Sequence, residues 1–371
     1  MENDNLISRL LNYQGADFFM VNNADGKWWL MPRRNMVTAM HLYQPSSLKG
    51  RVLKLFFPFF SRFQVVRRML DVRTYKLELI NLLEEKLKYL FDCKDLEFSV
   101  FGGTPSSHQK ITMQIYKGSK ILGYCKFSDK KEVKIIFKQE EYILNFLKKK
   151  GVDQIPVCLF SGNYHGDIDF FVQTTQKTKT SIQSNQWSTA HEDFLLQLHN
   201  KTKQNILFEK SEFFNSLQLL KNDLGLLEKQ HNKLILGLIN YLENFFKSKE
   251  VCFSVYHGDF TPWNMIIEKK RLFVFDFEYA KMTFPPFLDR YHFYTQVCIH
   301  EKKWNAEEIQ KNYLRKNELI FKDSKNSDLL YMSYLLSIIS LYLDREKQNF
   351  YNLSETSIWI ELLSLLSKKL I

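Results

Sequence analysis

The sequence predicts an α+β chain of two lobes, a small sheet-rich lobe over about 96–175 and a helical lobe over about 176–371, behind a basic aromatic extension over 1–95. Three observations predict it. Apolar runs of strand length, at 97–101, 111–116, 121–127, 155–161 and 169–173, crowd into the first half of the chain. From residue 189 onward apolar residues recur at helical spacing, over 189–200, 213–227, 234–247, 306–317, 328–343 and 354–370. Between positions 27 and 68 stand nine basic residues (Lys27, Arg33, Arg34, Lys49, Arg51, Lys54, Arg62, Arg67, Arg68) and no Asp or Glu, which is most of a net charge of +11.

With 371 residues, 45% of them hydrophobic and 25% charged, the chain is long enough for more than one core and has ordinary globular composition. Its five cysteines are scattered, with no CxxC pair, so neither a zinc site nor a disulfide framework is signalled and a reducing cytoplasm is the expected setting. The start, MENDNLISRLL, lacks the basic end and apolar core of a secretory signal. The longest uncharged apolar stretch, 329–343, falls short of the ~20 residues needed to span a bilayer and reads as a buried helix.

Taken in order, 17–32 reads as a hairpin and 36–43 as a short helix ended by Pro45. The stretch SSLKGRVLKLFFPFFSRF opens on Ser46 and Ser47 as candidate caps and repeats apolar residues at Leu48, Val52, Leu55, Phe56 and Phe59. Pro58 stops it from being one long helix. A basic amphipathic stretch with phenylalanines suits an anionic membrane surface or an anionic substrate such as a glycolipid; its phenylalanines could equally pack inside the protein. Nucleic acid is the least favoured partner, because no nucleic-acid module accompanies the charge. A helix is expected over 75–91, with Leu79, Leu82, Leu83, Lys86, Leu87 and Leu90 at helical spacing.

In the sheet-rich lobe, strand 97–101, the turn GGTPSSHQK and strand 111–116 form a glycine turn, with Gly102 and Gly103 where backbone N–H groups could approach phosphate. Lys126 lies on the next strand. The helix that follows, over about 132–150, has the apolar stripe Val133, Ile136, Phe137, Leu144 and Leu147, and Glu140 occupies a position within that stripe. A carboxylate on a buried face requires a partner, and Lys126 is the candidate, with Glu141 the alternative if the register differs.

The densest chemistry is in YHGDFTPWNMIIEKKRLFVFDFEYA, 256–280. Hydrophobic runs at 252–256, 265–267 and 272–275 read as three short strands, with Asp259, Asn264 and Asp276 at their ends. Phosphoryl transfer requires a carboxylate for the proton of the attacking hydroxyl and oxygen ligands that hold Mg²⁺ against phosphate. One carboxylate and an Asn/Asp pair meet that requirement.

The strings HGDFTPWN and FDFEYA resemble the small-molecule phosphotransferase branch of the protein-kinase-like superfamily, which includes aminoglycoside phosphotransferases and choline/ethanolamine kinases. That branch shows an H-G-D-x-x-x-x-N loop followed by I-D-F/W-E, and His257, Gly258, Asp259, Asn264, Asp276 and Glu278 fall on it. The resemblance implies a two-lobed kinase-like fold with the nucleotide between the lobes. It implies Asp259 as catalytic base, Asn264 and Asp276 as Mg²⁺ ligands, His257 as a brace, and Lys126 anchored by Glu140 on the α/β-phosphates of ATP. It also implies adenine contacts from the backbone of 173–175, including Gln173 and Thr175, and a supporting role for Asp289 in FPPFLDRYHF. It does not cover residues 1–95 and departs from G-x-G-x-x-G at the glycine turn. The expected reaction is transfer of the γ-phosphoryl group to a hydroxyl of a small molecule, first a sugar or glycan/glycolipid precursor, then choline, ethanolamine or an aminoglycoside. The rival of another class is a non-catalytic kinase-like binding or adaptor protein at the membrane surface. The expected location is cytoplasmic, peripheral to the inner face of the membrane if the basic extension docks there.

Overall fold

The computed structural model describes residues 5–23, 25–45, 48–104, 108–315, 327–349 and 354–368. The chain divides into two compact units, Met1–Asn145 with Ile155–Ser181, and Phe146–Gln154 with Ile182–Ile371.

The first unit runs α1 (Asn5–Ser8), β1 (Leu11–Asn22), β2 (Trp28–Pro32), α2 (Met36–Ala39), α3 (Leu48–Phe60), α4 (Gln64–Met69), β3 (Arg73–Leu79), α5 (Asn81–Leu90), β4 (Glu97–Phe101), β5 (Ile111–Lys117), β6 (Lys120–Ser128), α6 (Lys131–Lys149, whose residues from Phe146 on are counted with the second unit), β7 (Cys158–His165) and β8 (Ile168–Thr174). Its strands form one antiparallel sheet in the order β3-β1-β2-β4-β5-β6-β8-β7. Both faces are covered, and period-2 alternation decides which residue goes where. Phe18, Leu30, Ile115, Phe127 and Phe170 join Leu83 and Leu87 of α5 in one core. Their neighbours Phe19, Trp29, Met31 and Tyr116 pack with Met36, Ala39 and Phe57 in a second.

Two expectations change here. The boundary expected near residue 95 is crossed by the sheet: Leu30 of β2 pairs with Val100 of β4, so β1–β3 belong to the same sheet as the later strands. The helix expected over 75–91 is β3 followed by α5. Leu77 and Leu79 are buried with Glu78 turned away between them, and β3 is hydrogen-bonded to β1 from Leu79↔Leu11 to Arg73↔Met20. Leu79, Leu83 and Leu87 fit either period; pairing with β1 puts Leu79 in a strand, while Leu83 and Leu87 stay in α5. Pro58 lies inside α3, which ends two residues later at Phe60; the candidate caps Ser46 and Ser47 lie outside the described residues.

The second unit runs α7 (Thr189–Thr202), β9 (Gln204–Leu207), α8 (Glu212–Asp223), α9 (Lys229–Phe246), β10 (Glu250–Tyr256), β11 (Met265–Glu268), β12 (Arg271–Val274), β13 (Lys281–Phe284), α10 (Leu288–Gln296), α11 (Ala306–Leu314), α12 (Ser327–Asn349) and α13 (Ser354–Ser367). The strands make a three-stranded sheet, β13-β10-β9, and the hairpin β11–β12. α12 is the centre of the helical packing, buried from Tyr331 to Ser340, with Ser340 Oγ donating to the Ser216 carbonyl of α8 at 2.8 Å and Tyr342 edge-on to Trp359 of α13. Among the described residues no helix is long and apolar enough to cross a membrane.

Candidate active site

The loop between β10 and β11 is held from below by α10. Asp289, buried in the first turn of that helix, accepts the backbone N–H of His257 (3.0 Å) and of Gly258 (3.2 Å), one on each carboxylate oxygen. Burial nonetheless raises its pKa from 3.8 to about 7, against the lowering effect of those two bonds. Gly258 has φ +81°, and a Cβ there would meet the Tyr279 carbonyl oxygen at 2.5 Å, so the residue must be glycine for the loop to lie this close to the segment after β12.

His257 is fully buried and bridges two parts of the site. Its Nδ1 accepts the backbone N–H of Asp259 (3.2 Å), which leaves Nε2–H to donate to the Phe275 carbonyl (3.1 Å). Desolvation lowers its pKa to about 4, keeping the ring neutral and this tautomer in place.

Those bonds set the Asp259 carboxylate between two partners. Asn264 Nδ2 donates to Asp259 Oδ2 at 2.7 Å and to its carbonyl at 3.0 Å, and His292 Nε2 lies 3.2 Å from Oδ1. Because the Asn264 amide nitrogen is committed to Asp259, its Oδ1 is the atom available to face a cation. Register brings Asp276 to the same place. The hairpin pairs Met265 with Val274, and one step further the Phe275 N–H donates to the Asn264 carbonyl (3.0 Å), so Asp276 follows directly in a left-handed conformation (φ +70°). Residues twelve apart in sequence are thus placed at the same end of β11–β12. Among the described residues no group of three or more His, Cys, Asp or Glu gathers to cage a metal. An Asn/Asp pair suits Mg²⁺, which keeps most of its shell for water and phosphate.

In the first unit, Lys126 Nζ donates to both carboxylate oxygens of Glu140, at 3.0 and 2.8 Å, with the side chains 6% and 0% exposed. Cys125 and Phe127 point into the core shared with α5, so alternation turns Lys126 to the opposite face. There it lies 5.3 Å from the ring centroid of Phe171, its register partner on β8, and Phe171 stacks on Phe137 of α6. Glu140 sits one turn beyond Phe137, and the pair is Lys126 with Glu140 rather than Glu141.

The glycine turn has a packing explanation. The Gly102 N–H donates to the Trp28 carbonyl (2.9 Å), and a Cβ on Gly102 would lie 2.0 Å from the Trp28 ring; Gly103 (φ +78°) would clash with the Lys110 carbonyl at 2.4 Å. Residues 105–107 of this turn lie outside the described residues. In 173–175, Gln173 is buried between β6 and β7, and the Thr174 N–H is taken by the Val157 carbonyl (3.0 Å). Thr175 Oγ1 accepts the Lys177 N–H (3.1 Å). At least one backbone donor of the segment expected to meet adenine is therefore committed to the sheet.

His292 is the residue that sequence reasoning missed. It sits three residues after Asp289, on the same face of α10, so one helix turn both braces the loop and reaches its carboxylate. The i, i+3 pair in LDRYH carries that signal once Asp289 is given a supporting role.

No protein-family model and no curated protein matches the chain. Among solved structures it is similar to the aminoglycoside phosphotransferase APH(2")-IIa in a streptomycin–ATP ternary complex (17% identity over 78% of this chain and 97% of that one, TM-score 0.45). It is also similar to a putative fructosamine-3-kinase from Haemophilus somnus 129PT (14%, 78% and 96%, TM-score 0.46) and to choline kinase LicA from Streptococcus pneumoniae (15%, 77% and 98%, TM-score 0.44).

Proposed function

We propose that this chain is an ATP-dependent phosphotransferase that moves the γ-phosphoryl group to a hydroxyl of a small molecule. The observation that carries the reading is the Asp259 carboxylate, fixed between Asn264 and His292 on a loop braced by Asp289, beside the hairpin end that brings Asp276 to Asn264. A non-catalytic binding protein has no chemical requirement for that combination.

In this mechanism Asp259 accepts the proton of the acceptor hydroxyl as its oxygen bonds to the γ-phosphorus and the bond to the β–γ bridging oxygen breaks, releasing ADP. Asn264 and His292 hold the carboxylate so that a lone pair faces the hydroxyl, a positioning effect of the kind that gives phosphotransferases most of their rate. Asn264 and Asp276 would hold Mg²⁺, which would supply charge neutralisation on the phosphates. Lys126, held by Glu140, supplies positive charge for the α/β-phosphates, and the backbone of Gln173 and Thr175 is assigned to the adenine edge. The backbone of Gly102 and Gly103 is assigned to phosphate, alongside the packing role of both residues.

A sugar or glycan precursor is the favoured acceptor, since a net charge of +11 serves a cationic aminoglycoside or choline poorly. The test is transfer of labelled γ-phosphate from ATP across a panel of sugars, glycolipid precursors and amino alcohols. Asp259→Asn should lower the rate roughly 10²–10⁴-fold. Unchanged transfer in that variant would remove the base assignment, and no transfer or hydrolysis by the folded wild type would favour the adaptor reading.

A further inference from the structure

α3 buries one face and leaves an apolar face outside. Phe57, 2% exposed, packs with Phe19, Trp29, Met31 and Met36, and Leu53 lies against the same cluster. Val52, Leu55, Phe56 and Phe59, spaced 0, 3, 4 and 7 and so on one helical face, are 48–63% exposed. The band continues through Phe60 and Phe63 into Val65 and Met69 of α4, the latter 80% exposed, and the rings of Phe56, Phe60 and Phe63 follow one another at 6.1 and 6.4 Å. Single exposed apolar residues are ordinary, but eight within positions 52–69 form a patch of the kind that marks an interaction site.

Charge says which kind. At 100° per residue, exposed Lys49 and Arg51 fall on either side of the Val52–Leu55–Phe56–Phe59 band, and Arg62 and Arg68 are exposed beyond it. Arg67 is used differently: its guanidinium donates to the Ser61 and Arg62 carbonyls (2.8 and 2.9 Å) and lies over the Phe19 ring, tying α4 to the sheet. No acidic residue interrupts positions 27–68, so a second copy of this face would set the exposed Lys49, Arg51, Arg62 and Arg68 against the same four positive charges. An apolar wedge between two basic margins is the form of a helix that lies in a membrane interface.

We propose that α3 and α4 dock the protein on an anionic bilayer, with Leu55, Phe56 and Phe59 among the upper acyl chains and Lys49, Arg51, Arg62 and Arg68 at the lipid headgroups. The proposal is independent of the phosphotransferase reading and would stand if the chemistry at Asp259 failed.

The test is sedimentation of the full chain with phosphatidylserine-containing vesicles and with pure phosphatidylcholine vesicles. The wild type should bind the anionic vesicles at about 0.1 M salt and be released near 1 M, where screening shortens to ~3 Å. A charge variant (Lys49→Glu, Arg62→Glu, Arg68→Glu) and a wedge variant (Leu55→Glu, Phe59→Glu) should each bind at least roughly tenfold more weakly while keeping the wild-type circular dichroism spectrum. Phe59→Trp, a mild change, should gain emission that lipids brominated in the acyl chain quench. Equal binding by wild type and both variants would overturn the proposal, as would added emission in Phe59→Trp that those lipids leave unquenched. Failure of the folded wild type to bind anionic vesicles would also overturn it, and self-association broken by the wedge variant would reassign the band to contacts between copies.

Discussion

At the scale of residues, the account turns on a short chain of hydrogen bonds: Asp289 to the loop backbone, His257 to the Asp259 N–H, and Asn264 and His292 to the Asp259 carboxylate. His292→Ala leaves the loop backbone bonded as before but frees the carboxylate to rotate. It should lower kcat roughly 10–100-fold with little change in KM for ATP, because the loss is of orientation. A matched fall in binding, with kcat intact, would count against a positioning role. The two buried titratable groups oppose each other with pH. His257, held at about 4 against 6.5 free, makes the unfolded state bind more protons over that range, so its contribution is lost as pH falls from about 6.5 to about 4. Asp289, raised to about 7 against 3.8, contributes stability that is present at low pH and lost as pH rises through about 7. Urea unfolding between pH 4 and 7 should therefore show stability rising with pH more steeply in Asp289→Asn than in the wild type. In His257→Gln it should fall with pH instead. Parallel curves for all three proteins would refute both assignments.

At the scale of elements, the Lys126–Glu140 pair ties β6 to α6. Glu140→Ala strands a buried ammonium and should destabilise the fold by about 3–5 kcal/mol, whereas Lys126→Met with Glu140→Leu, which removes both charges, should cost much less. Equal losses from the single and double variants in denaturant melts would show that the pair is not coupled. This pair is legible in the sequence because Glu140 interrupts an apolar stripe, and a buried carboxylate demands a partner. The strands and hairpins are legible from period 2, and Asp276 beside Asn264 follows from two short runs joined by a tight turn. Other features are not legible, for physical reasons. Leu79, Leu83 and Leu87 satisfy both a helix and a strand-then-helix, and only pairing with β1, far away in sequence, separates them. Gly102 reads as a phosphate-loop glycine until Trp28, 74 positions earlier, is seen to fill the space of its Cβ. The stripe Val52–Leu55–Phe56–Phe59 fits a surface or an interior face equally well from its spacing alone; only the packing, which buries Phe57 and leaves the stripe exposed, separates the two.

At the scale of the whole molecule, a +11 chain concentrates nine basic residues in one acid-free segment that bears an exposed aromatic band. The central claim is that Asn264 and Asp276 hold Mg²⁺ for a bound nucleotide, and thermal stability reads it without an acceptor in hand. A ligand at about 100 times its Kd stabilises a fold by roughly 2.7 kcal/mol, enough to move Tm by several degrees. The measurement is Tm with and without Mg²⁺–ATP in the wild type and in Asp276→Asn. The account predicts a magnesium-dependent rise in the wild type that the variant loses; the same rise in both proteins, or none in a folded wild type, would contradict it.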